Sequence, residues 1–422
     1  MQIDTVYPPR LSDKKIRLGY LQILFLLLWS QHTIFAWGRV LLNTLPLMSY
    51  VTPYIFPILV GGVTLLSLPA ISRAAKLSDV VIAAAALLFW FGSKALADPM
   101  YMAYYEQNQE QTLSAVVMFF VGKWCIARIQ DRQHFFDMLY KVSAIGVMFV
   151  MAYFVFNILR GRTMNESNMD IAYKVLPSIM CTVIWAFKKN NIAIRIYAVV
   201  ASVFLVFLGT RGAVGILVLF VAVYYIMFYK NKRMKWFLGM TAIMLIAMDS
   251  LINVSGIIMV AFNNIGTRFG LSLRILSLFE GGDIFFMNGR DDISVLVLEH
   301  VNDRFFGYGL FADRYFTRGI WGVHETGTYV HNFAYELWIE FGVVVGSTIL
   351  LLIIITAIRC IMRKEIPEEY RMLSVVLFCT GVVKLFFSGS WITEPYLYMM
   401  LGCSSAILTM YVPKKWRIRV KL

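Results

Sequence analysis

The chain has 422 residues, 59% hydrophobic and 15% charged, where soluble domains carry about 25% charged residues. A formal net charge of +14 would suggest nucleic acid as partner to a soluble protein. Here the apolar residues come in long uncharged runs, which excludes that class and points to a membrane protein with Lys and Arg gathered in cytoplasmic loops.

In chain order, the first 17 residues are polar and basic (Arg10, Lys14, Lys15, Arg17), and no small-residue cleavage site follows. The first apolar run therefore reads as an uncleaved anchor. Runs near 18–37, 52–69, 79–97, 111–127, 141–159 and 171–187 match the ~30 Å hydrocarbon core at 1.5 Å rise per residue. A second set lies near 192–209, 212–229, 236–254, 329–357, 371–389 and 393–412. Cys125, Cys181, Cys379 and Cys403 fall in these runs and Cys360 in a basic loop, with no disulfide framework and no metal-ligand spacing. The expected fold is all-α, a single polytopic transmembrane domain over residues 1–422 with about twelve helices, since open sheets leave edge amides unsatisfied in lipid. With the N-terminus inside, the inside segments hold 25 Lys or Arg and the outside segments ten, as the positive-inside rule requires. Both termini are then cytoplasmic. All ten outside cations are arginine, whose planar fork grips phosphate oxygens in pairs where lysine offers a point charge.

The one long polar segment, 255–328, lies on the outside between the ninth and tenth spans. Within it, 291–303 reads as a short amphipathic helix with Asp291 as cap and a stripe of Ile293, Leu296, Val297 and Val301. Arg290 stands just before its N-terminus, where free amides favour an anion. The glycine turns of Phe306-Gly-Tyr308-Gly-Leu310 and then Asp313-Arg314 follow. The loop ends at His331-Asn332, and Asn332, Glu336 and Glu340 recur every four residues on one face of the tenth span. Those two carboxylates are either functional groups or an internal ion pair, with Lys384 as partner. Between the seventh and eighth spans, Thr210-Arg211-Gly212 places a guanidinium at the outer mouth of the bundle, as an anion site or as a snorkelling arginine.

In their order and sidedness these residues resemble the Wzy-type O-antigen polymerases, with the O-antigen ligases close behind. The resemblance rests on Thr210-Arg211-Gly212, Gly289-Arg290, Phe305-Phe306-Gly307-Tyr308-Gly309, and His331-Asn332 followed nine residues later by Gly342. It covers roughly residues 200–350 and departs at Val345, where the ligases usually carry Gly, Thr or Tyr. It implies a GT-C-like architecture in the bacterial inner membrane with a periplasmic active site. The implied activity moves a growing glycan from undecaprenyl diphosphate onto an incoming lipid-linked repeat unit. Donor, acceptor and bilayer are the implied partners, with a chain-length regulator as a further one, and no nucleic acid is involved. The transfer is inverting and metal-independent, without cofactor. Diphosphate is a good leaving group, so the site chiefly needs charge neutralisation and orientation. Arg211 and Arg290 would clamp the diphosphate, and His331 would take the proton of the attacking hydroxyl, with Glu336 as the next candidate. Arg314, Asp313, Asn332, Glu336 and Tyr308 complete the expected substrate-binding set. A ligase acting on lipid A-core is the nearest alternative. A transporter using the intramembrane Lys94, Lys123, Lys174 and Lys384 is the alternative from another class.

Overall fold

Lipid offers no partner to a free amide, so each apolar run must satisfy its own backbone. The computed structural model describes residues 18–35, 48–159, 168–189, 191–208, 210–228, 290–318 and 329–411, and every regular element among them is helical. The first run forms α1 (Tyr20–Ser30), which widens into a π-helical turn over Gln31–Phe35. Then come α2 (Met48–Ala74), α3 (Leu77–Leu96), α4 (Met102–Ala127), α5 (Arg132–Leu159), α6 (Asn168–Lys188), α7 (Ile192–Phe207) and α8 (Arg211–Phe228). The expected ninth span, 236–254, lies outside the described residues. Beyond it stand α9 (Arg290–His300), α10 (Ala312–Phe316), α11 (Phe333–Phe341), α12 (Val343–Met362), α13 (Glu368–Gly381) and α14 (Pro395–Tyr411). Five of the described helices, α2, α3, α5, α6 and α12, are long and apolar enough to cross a membrane. The chain is a helical membrane protein.

Helices in lipid gain little from burying apolar surface against each other, so close backbone approach has to supply the packing. That approach is built from glycine. A Cβ on Gly402 of α14 would collide with the carbonyl of Phe119 in α4, and one on Gly122 of α4 would come within 2.9 Å of the Met399 carbonyl. A Cβ on Gly381, at the end of α13, would likewise come within 2.6 Å of the Leu397 amide nitrogen. Around this α4–α14 axis, Phe25, Phe135, Leu176 and Met400 pack into one buried core. α2 and α3 stand further out, with Leu65, Leu66, Leu88 and Phe91 exposed on a lipid-like surface. The base of α3 is tied to α4 where Lys123 pairs with buried Asp79, which also accepts from Trp124 Nε1 at 2.9 Å. This intramembrane lysine is a structural partner.

Three expectations change. The tenth span is not one helix. It breaks at Gly342, whose φ of +79° lies in the left-handed region, into the short α11 and the crossing helix α12. Apolar residues continue on both sides of the break, so hydropathy alone could not show it. The eleventh run is a helix of 14 residues, α13, followed by a 3₁₀ turn over Val383–Phe386. Cys360 is no loop residue; it is buried within α12, its thiol directed at the Ser404 carbonyl.

Because backbone atoms stand in the way at Gly402, Gly402→Val should lower the thermal stability of the detergent-solubilised protein by at least the ~1–3 kcal/mol of an overpacked core. Gly61→Val, which meets nothing within 4 Å, should be silent. Equal melting of both variants would remove the α4–α14 axis from this account.

Candidate functional site

The site is organised from α11. Asn332 caps it, its side-chain oxygen accepting from Ala334 N at 3.0 Å and Tyr335 N at 3.4 Å. One and two turns on, Glu336 and Glu340 are both buried. Glu340 accepts from Phe311 N and from Trp391 Nε1, each at 2.8 Å. Glu336 accepts from the Ser390 hydroxyl and from Trp391 N, the latter at 3.2 Å. Asp313 of α10 accepts from Val330 N at 3.3 Å and from Arg314 Nη1 at 3.5 Å. The other end of α11 is closed by the glycine turn: Tyr308 N donates to Ile339 O at 2.9 Å and Gly309 N to Glu340 O at 3.0 Å. Gly307, with φ +70°, lies so close to Glu340 and Gly342 that no side chain fits there. The Phe-Phe-Gly-Tyr-Gly segment is thus a clamp on the break at Gly342.

This scaffold presents Arg314 to a cavity of about 760 Å³. The cavity's walls come from one end of several helices: the π-turn after α1, the first turns of α4 and α6, α10, and the 384–396 segment. Gln107, Glu110, Gln111 and Ser114 line it from one face of α4, at the spacing that aligns residues along a helix. The same lining carries two ion pairs, Lys174 with Asp170 and Lys384 with Glu394, the Glu394 carboxylate being buried. Lys384 also stands 5.7 Å from the centre of the Tyr173 ring. Arg314 is buried at 6% exposure, and among the described residues its guanidinium makes one hydrogen bond, the long one to Asp313. Its guanidinium lies 4.7 Å from the Phe311 ring centre, which orients the fork. The arrangement holds a fixed cation, donors and acceptors along one wall, and tyrosine rings. It can bind a polar ligand that carries an anion.

The expected site residues fall into three groups. Arg314 is on the cavity wall, and Glu336 reaches that wall through Ser390. Arg211 opens α8 beside Gly212, where a Cβ would collide with the hydroxyl of cavity-lining Tyr173. Asp313 and Asn332 hold the scaffold behind the wall. His331, in left-handed backbone at φ +55°, stands against Tyr329 with ring centres 4.1 Å apart, and it is Tyr329 that faces the cavity. Arg290 begins α9, the short helix expected over 291–303, whose Ile293, Val297 and Val301 are buried. Tyr308 is turned away, donating to Asp303 at 2.9 Å under the Arg304 guanidinium. Lys384 does not pair with Glu336 or Glu340. His32, Gln107, Gln111 and Glu394 were missed. The available signal was polar residues within or beside apolar runs, which are costly in lipid unless they face a cavity.

Asp313, Glu336 and Glu340 bring one carboxylate oxygen each within 4.8 Å of one another, the one group among the described residues able to share a metal ion. Each already accepts protein donors, and a single buried guanidinium accompanies them. Three full negative charges there would repel, so the cluster shares protons. Together, fold and site define a helical membrane protein with a polar, arginine-bearing cavity at one end of the bundle. Compared with known proteins, the chain matches no family model, no curated protein and no solved structure.

Burial pushes the Asp313 carboxyl above its ordinary 3.8, the neighbouring Arg314 opposing the shift. Above 3.8 the folded form therefore holds a proton that the unfolded chain has lost, and stability falls as pH rises toward the folded value. As pH rises above the ordinary carboxylate value of 3.8 the stabilisation from protonated Asp313 should be lost, and Asp313→Asn should flatten the fall of melting temperature with pH. Parallel slopes for the two proteins would show that Asp313 is not protonated in the fold.

Proposed function

We propose that this chain is a glycosyltransferase of the surface-polysaccharide polymerase type. It has about twelve spans in a GT-C-like arrangement in the bacterial inner membrane, with cytoplasmic termini and the cavity on the periplasmic side. The observation that carries the reading is the 760 Å³ cavity walled by buried Arg314, at the helix ends that the charge bias assigns to the outside. Amides and carboxylates along α4 suit sugar hydroxyls, and Tyr173, Tyr329 and Tyr396 offer faces for sugar rings. Arg314, with Arg211 opening α8 nearby, suits the diphosphate of an undecaprenyl-linked donor. The acceptor hydroxyl attacks the anomeric carbon as the bond to diphosphate breaks, with inversion and no metal. The proton passes toward His331 behind Tyr329, or toward Glu336 through Ser390. A chain-length regulator protein is a further partner. The two ion pairs on the cavity wall favour, as a second reading, a transporter that couples to ions through Lys174 and Lys384.

Deleting the gene and resolving surface polysaccharide by electrophoresis separates these readings. A single-repeat product is expected of a polymerase, core without polymer of a ligase, and unchanged polysaccharide of a transporter for something else. In the complemented strain, Arg314→Lys keeps the charge and loses the fork, and turnover should fall ~10²–10³-fold, as on removing one transition-state donor. Full-length polymer from Arg314→Lys at normal protein level would reduce Arg314 to generic charge.

A further inference from the structure

The clamp segment has a feature that its role at Gly342 does not use. Its two phenylalanines point outward: Phe305 is 67% exposed and Phe306 74%, their rings edge-to-face with centres 4.9 Å apart. Fully burying such a ring gains about 1.5–3 kcal/mol over leaving it in water. Neighbouring atoms give their depth. Gly342 touches the Phe305 backbone and is followed at once by Val343, the first residue of a 20-residue crossing helix. That helix measures about 30 Å, the thickness of the hydrocarbon core, so Phe305 lies no farther out than its boundary. α3 supplies a second ruler. Phe341, beside Gly342, meets Phe89 with ring centres 6.3 Å apart. Phe89 lies about 10 Å below the outward end of α3 at 1.5 Å per residue. Phe311 of the same loop region packs on Trp90 of α3, with ring centres 6.1 Å apart. The exposed apolar surface runs on into Val343 at 37% and Val344 at 59%. Arg304 is exposed on the other side, 4.4 Å above the Tyr308 ring, where a guanidinium suits the headgroup layer.

We propose that Phe305 and Phe306 form a wedge seated in the bilayer, contacting the acyl chains of the leaflet on the cavity side, with Arg304 at the headgroups. The wedge fixes the height of the clamp, and with it the cavity scaffold, relative to the membrane. Its occupant is bilayer lipid, continuous with the lipid along α12, and the inference does not depend on the transferase reading.

Spin labelling of the full chain in nanodiscs of phosphatidylcholine alone tests it. The native cysteines are all buried, and signal from the unsubstituted chain gives their background. A nitroxide at Phe306→Cys should show an oxygen-to-nickel-chelate collision ratio close to that at lipid-facing Leu352→Cys. It should lie well above that at water-facing Glu299→Cys. A ratio matching position 299 overturns the wedge, and so does a lipid-like ratio that appears only after undecaprenyl phosphate is added, since the surface would then be a prenyl-chain groove. Phe306→Trp read by brominated-lipid quenching, against the unsubstituted chain, keeps the test decisive should the labelled variant misfold. Quenching at the level of the unsubstituted chain rejects the proposal.

Discussion

Glu336 and Glu340 stand one helical turn apart on α11, and the same tryptophan donates to both, through its amide to one and its indole to the other. Through Ser390 and Phe311 the same two carboxylates gather the 388–394 segment and the start of α10. Three stretches of chain far apart in sequence thus depend on one pair of buried acids. A buried polar group left without its hydrogen-bond partner costs about 1–3 kcal/mol, so each of these contacts opposes any other arrangement of the segments. The pair therefore specifies a single arrangement of the loop. Arg314 owes its place on the cavity wall to that arrangement, since Phe311, whose ring its guanidinium faces, is held through its amide by Glu340.

The membrane sets the second constraint. Glycines at 122, 381 and 402 let backbones meet where larger side chains would hold them apart, while the apolar faces of α2 and α3 need no protein partner in lipid. A core of this kind leaves room for polar groups only where they are paired or face a cavity. Lys123 with Asp79, and Lys384 with Glu394, meet the first condition, and the polar face of α4 meets the second. The distribution of charge and amide inside the bundle is therefore a map of where water and polar ligand can go.

Much of this was legible in the residues. Long apolar runs announced a helical membrane protein, because hydropathy and backbone satisfaction in lipid are local properties of the chain. Asn332, Glu336 and Glu340 at four-residue spacing were visible as a shared face. The stripe of Ile293, Leu296, Val297 and Val301 marked α9, and of these Ile293, Val297 and Val301 are buried while Leu296 is half-buried. Gly307 and Gly342 stood out as glycines, but separately.

Only the tertiary structure decided what those residues do together. Hydropathy cannot see a break at Gly342, since the chain is apolar on both sides. The clash that makes glycine obligatory there is with Phe305, nearly forty residues away. His331 looked like a wall residue because it is ionisable and near the loop's end, whereas a left-handed backbone turn puts Tyr329 on the wall in front of it. Lys384 found Glu394, ten residues on, because the 3₁₀ turn after α13 folds the chain back, a turn that no periodicity announces. Sequence specified the solvent each segment needs; pairing between distant segments, which only three dimensions contain, specified the cavity.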